Sequence, residues 1–198
     1  MPDEIRAYPS REEAERLLTE AGELNPGSWI AHSRTAAVCA RAIADACGMD
    51  AGQAYICGLL HDIGRRFGVS HLRHVYDGRR YMNELGYSDC ARICLTHSFS
   101  VPNMSTYCGR VDIEPEQFDE LAAALAACEY DELDRLIQLC DCLAGNGFVM
   151  DIAARMDDVA RRYGAYPEAK RQRNMELLEH FAEKAGRDIY ELTAEAMS

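Results

Sequence analysis

Apolar positions along this chain recur with the three-to-four-residue beat of an amphipathic helix, and nowhere with the alternation of a strand. "SREEAERLLTEAG" opens with Ser10 and Glu13 in capping-box spacing and is predicted to run as a helix to Gly22. "NPGS" makes a turn, with Ser28 as N-cap of a helix to about Cys47 that Gly48 closes. Asp50 and Gln53 repeat the capping spacing at the start of a helix that reaches His61. Further helices are predicted over 71–85, 88–97, 115–128, 130–143, 149–163 and 167–185, separated by glycines and by Pro102 and Pro115. The longest irregular piece, "SFSVPNMSTYCGRVDIE" at 98–114, is expected to form a lid or a pocket wall. The fold class expected is all-α, a single-domain helical bundle over residues 1–198.

Four polar side chains fall on the apolar side of these helices. His32 shares a face with Ala36, Cys39, Ala40, Ile43 and Cys47; His61 lies over Ala54, Cys57 and Gly58. His97 lies over Cys90, Ile93 and Cys94, and Asp141 sits beside Ile137 within "LIQLCDCLAG". One inward histidine is ordinarily a core residue satisfied by a neighbour. Four stripes each contributing a metal-capable group, with Asp62 directly after His61, are harder to explain that way. A buried carboxylate costs several kcal/mol unless paired or metal-bound. Bringing His, His, Asp and Asp together supplies the charge and the nitrogen donors that a divalent cation requires.

Composition sets the frame around this constellation. The chain has 198 residues, 48% of them hydrophobic, enough for one domain with a real core. No apolar run spans a membrane, and the polar, acidic start "MPDEIRAYPSREEAERL" does not read as a signal peptide. A cytoplasmic protein is expected, and its nine cysteines are read as free thiols acting as small hydrophobes. The net charge of −12 argues against duplex nucleic acid as a partner. Residues 61–82 nevertheless hold five arginines (65, 66, 73, 79 and 80) against Asp62 and Asp77, which points to a small anion at one site. The nine carboxylates of 111–134, without Lys or Arg, read as a solvated face.

The order His32, then His61-Asp62 in "GLLHDIGR", then Asp141 resembles the HD-domain superfamily of metal-dependent phosphohydrolases, over a core of residues 28–145. The C-terminal helices, 146–198, would pack on that core. The resemblance implies that these four residues bind one metal. "HVYDGRRYMNELG" and "ICLTHSF" resemble segments of the dinuclear branch, which implies a second ion held by His74 and His97 with Asp62 bridging. His71 is left outside the ligand set, and Asp77 is either a partner that orients His74 or an ordinary carboxylate. Where some mononuclear relatives carry a Glu three residues after the Asp, this chain has Arg65, as in the dinuclear branch. A Gly-Tyr-Pro motif of one cyclic-dinucleotide group is absent from "HSFSVPNMS".

The function implied is a phosphohydrolase acting on a small phosphorylated metabolite or nucleotide through a metal-activated water. Asp62 and Arg65 would be catalytic, and Arg65 and Arg66 would bind the substrate phosphate. The cofactor would be one or two divalent transition-metal ions, Fe, Mn, Co, Ni or Zn. A di-iron oxygenase and a non-catalytic nucleotide-binding module are the alternative uses of the same ligand set. No membrane partner is expected, and a homodimer through the C-terminal helices stays open.

Overall fold

A computed structural model describes residues 7–198; the stretch 1–6, part of the segment read as polar rather than as a leader, lies outside the described residues. The described residues form ten α-helices and no strand, so the fold is all-α. The chain opens with α1 (Arg11–Leu24), α2 (Trp29–Ala46) and α3 (Ala51–Leu60). A short 3-10 turn, Ile63–Phe67, then leads to α4 (Arg73–Glu84) and α5 (Ser88–Thr96). The rest comprises α6 (Pro115–Ala126), α7 (Glu132–Leu143), α8 (Ile152–Tyr163), α9 (Glu168–Ala185) and α10 (Ile189–Met197).

The capping chemistry sets the starts. The Ser10 side chain accepts from the Glu13 amide at 3.2 Å and Asp50 from that of Gln53 at 2.9 Å. Ser28 precedes α2 as expected but makes no side-chain cap bond. The first helix runs through Gly22 to Leu24. Helix α10 has no counterpart in the sequence reading, although Asp188 accepting from the Glu191 amide at 2.9 Å marks its start.

Helix α2 is the central element, packed against α3, α7 and α10. The main core runs from Ala14 and Leu18 through Ile43, Leu59 and Ile137 to Phe181 and Ile189, so the C-terminal helices share it. A smaller cluster of Leu72, Val75, Leu95, Phe99, Leu121 and Leu125 joins α4, α5 and α6. All nine cysteines are free, six of them buried. The acidic face is less uniform than its sequence suggested. Asp134 is fully buried, hydrogen-bonded by Thr96 and paired with Arg92, and Asp112 accepts from the backbone amides of His71 and Arg73. No described helix is long and apolar enough to cross a membrane.

Candidate metal centre

Helix α3 ends at His61, and the 3-10 turn that follows brings Asp62 and Arg65 round to face α4. That turn can lie against α4 because two glycines meet there. A Cβ on Gly64 would sit 2.0 Å from the His74 carbonyl oxygen and 2.5 Å from the Gly78 amide nitrogen. Only a residue without a side chain permits this approach. It sets His74 Nε2 3.1 Å from Asp62 Oδ1, while α5 brings His97 Nε2 to 3.5 Å from the same oxygen. On the other side, α2 and α7 carry His32 and Asp141, with His32 Nε2 2.9 Å from Asp141 Oδ1 and 3.2 Å from His61 Nε2.

Six side chains from five separate stretches of the chain therefore converge. Two groups with mutually close donor atoms result, His32-His61-Asp62 and Asp62-His74-His97, all five residues being buried. Asp141 adjoins the first group. Each histidine is held the same way from behind. Its Nδ1 donates to a backbone carbonyl: Ala144 for His32 at 2.9 Å, Gly58 for His61 at 2.7 Å, Cys94 for His97 at 3.0 Å, and His71 for His74. A carbonyl can only accept, so the proton sits on Nδ1 and the Nε2 lone pair points inward.

That arrangement gives a chemical test of fit to a cation. Burial, then the Arg65 charge, lower the His74 pKa to about 4, so its ring is neutral at pH 7. His74 Nε2 nevertheless faces His97 Nε2 at 3.2 Å and a carboxylate oxygen at 3.1 Å. These are acceptors pointed at acceptors, and a cation between them removes the repulsion. Burial raises the Asp62 pKa, but Arg65, His74 and His61 outweigh it and hold the carboxylate ionised, well below its usual range. Asp141 is depressed in the same way, by His32 and His61 against burial. For His61, burial lowers the pKa, but the two carboxylates prevail and leave it raised. The donor set of imidazole nitrogen and carboxylate oxygen fits divalent transition metals.

Arg65 Nε donates to Asp62 Oδ2 at 2.6 Å and Nη1 to the Ser70 carbonyl at 3.3 Å, leaving Nη2 without a partner among the described residues. Arg66 departs from its expected role. It does not line the cavity; its guanidinium stacks over Tyr81 at 4.1 Å, with Nε and Nη1 buried. Arg73 and Arg79 are taken up by Asp112 and Glu120. His74 is oriented by the His71 carbonyl, not by Asp77. The His71 ring lies outside both donor groups and accepts from Arg110 Nη2 at 2.8 Å.

The donor atoms open into a cavity of about 350 Å³. Its walls come from Ser98, Ser100, Tyr107 and Cys108 of the irregular segment and from Arg155, Tyr163, Tyr166 and Lys170 of the C-terminal region. The general origin of the walls was legible in the sequence, but these residues were not singled out. Lys170 could have been. It begins the buried stripe Lys170, Asn174, Leu177 and Phe181 of α9, the same signature that exposed the histidines.

Neither the curated proteins nor the solved structures yield a match. A family model for the HD domain matches residues 29–146, more than half of the chain. HD domains bind divalent metals and are in general hydrolases of the metal-dependent phosphohydrolase superfamily, and the two His/Asp groups here can hold such an ion. By its matched length and by the geometry of its histidines and aspartates, the chain belongs to the HD-domain family.

Proposed function

We propose that this protein hydrolyses a small phosphorylated metabolite or nucleotide, with Asp62 shared between two ion sites. His32, His61, Asp62 and Asp141 would hold one ion, and His74, His97 and Asp62 the other. The observation that carries this reading is the pair of buried donor groups meeting at Asp62, with a half-free guanidinium alongside. A bound divalent cation would supply Lewis acidity, lowering the pKa of water and offsetting charge on phosphoryl oxygens.

The chain's own groups complete the chemistry. The Asp62–Arg65 bond fixes the guanidinium beside the donor atoms, and Nη2 is left to donate to a phosphoryl oxygen. The backbone bonds to the four Nδ1 atoms hold the imidazoles in one tautomer, so the site needs no rearrangement to receive charge. An oxygenase would use the same donors, and release of phosphate, not consumption of oxygen, separates the two.

The test is phosphate release from nucleotides and sugar phosphates by metal-stripped protein, with Mn²⁺, Fe²⁺, Co²⁺ and Ni²⁺ added back singly. Release restored by an ion and lost in Asp62→Asn is the expected outcome. Silence across the panel with folded, metal-loaded protein would refute the reading, and oxygen consumption under those conditions would favour the oxygenase.

A further inference from the structure

One side of the cavity carries positive charge that the chemistry above does not use. Lys170 is 9% exposed; its ammonium donates to the Ser98 carbonyl at 2.7 Å and lies 5.6 Å from the Tyr166 ring centre. No carboxylate pairs with it among the described residues. A buried ammonium without a counter-charge is costly by several kcal/mol. Arg155 of α8 lines the same cavity and also forms no ion pair among the described residues. The only carboxylates in the lining are Asp62 and Asp141, both engaged with the histidines.

A second, independent observation lies in the same wall. Ser100 Oγ and Gln138 Oε1 are buried without a hydrogen-bond partner. The Gln138 amide nitrogen points to the carbonyls of Thr96 at 3.1 Å and Phe99 at 3.4 Å. The amide is therefore oriented, and its oxygen is available only as an acceptor. Cation and acceptor together describe a surface built to meet a polar ligand, not a packed core.

We infer that Lys170, flanked by Arg155, forms a second anion subsite, and that the substrate carries another anionic group besides the phosphoryl group held near Arg65. That group is a phosphate or a carboxylate. The inference rests on the phosphohydrolase reading and narrows its substrate class. Arg65 follows α3, whereas Lys170 reaches in from α9 to the residue after His97, so the two cations reach the centre from different elements. Gln138 and Ser100 accept hydrogens from hydroxyl or amino groups of the same molecule.

Calorimetric titration of metal-loaded protein with propylphosphonate, 3-phosphonopropionate and methylenediphosphonate, whose C–P bonds resist hydrolysis, tests this without turnover. One or both of the probes with two anionic groups bind roughly tenfold or more tightly than propylphosphonate. That ratio collapses toward one in Lys170→Met, narrows in Arg155→Gln and returns in Lys170→Arg. A preference for 3-phosphonopropionate identifies a carboxylate, and one for methylenediphosphonate a second phosphoryl group. Equal affinities in the wild type overturn the inference, as does a ratio unchanged in Arg155→Gln and in folded Lys170→Met, since preference then comes from chelation alone. A Lys170-dependent ratio in a protein that releases no phosphate would leave the subsite standing and remove the hydrolase.

Discussion

The donors on the His32 side of Asp62 and those on the His74 side share a carboxylate but stand on different parts of the fold. His32, His61 and Asp141 come from α2, α3 and α7, helices that form the middle of the main core, where Ala36, Cys57 and Ile137 are fully buried. Their geometry follows from packing that the whole chain needs in order to fold. His74 and His97 come from α4 and α5, which give Met82, Ile93 and Cys94 to the main core but also Val75 and Leu95 to the smaller apolar cluster. Their geometry depends on the contact of Gly64 with Gly78 and on Asp112 clasping the amides of residues 71 and 73. The first half of the centre thus stands within the main core, and the second stands where that core meets the smaller cluster. The two halves can be separated by mutation.

The largest effect is expected at the point they share. Asp62→Asn removes the bridging charge from both groups, so metal content by elemental analysis falls at both sites and phosphate release drops to background. Next come the separated ligands. His74→Ala costs at least about 100-fold in affinity for one ion while helical circular dichroism stays intact. Asp141→Asn weakens the other ion comparably, and equal loss of both ions in either variant would break the distinction.

Gly64→Ala ranks third. Its Cβ must displace backbone at 2.0 Å and 2.5 Å, which costs about 1–3 kcal/mol of stability by analogy with overpacked cores. Thermal denaturation and ion titration should show that the His74–His97 side suffers more than the His32 side. The smallest effect lies away from the centre, at Glu132. Burial raises its pKa, but Lys184, His180 and Arg135 outweigh it and lower it from 4.5 to about 2. A depressed carboxylate adds stability that is present above 4.5 and lost as the pH falls toward 2. Glu132→Gln should therefore be less stable than the wild type at neutral pH, with the gap closing across that range in denaturant titrations.

The sequence was most readable where one residue had one dominant reason to be where it is. Ser10 and Asp50 cap helices because their spacing admits little else. The inward His32, His61, His97 and Asp141 stood out because a polar group on an apolar stripe must be met by a partner. Arg66 was not readable, because adjacency to Arg65 does not say whether a guanidinium turns to a cavity or onto Tyr81. Asp134 looked like part of an acidic face because its partner, Arg92, is 42 residues away. The short helix α10 was missed for want of a long apolar period, its nine residues spanning little more than two turns.

The meeting of Gly64 with Gly78 has a consequence for how this protein would look in a mutational survey. A scan by alanine would score Gly64 as a sensitive position next to the ligands, because the added methyl group pushes the turn bearing Asp62 away from the backbone of His74. Loss of activity at that position would imitate the loss of a chemical group where none exists. Intolerance and participation separate there, and only a measurement of ion affinity site by site would tell a hinge of bare backbone from a residue that touches the reaction.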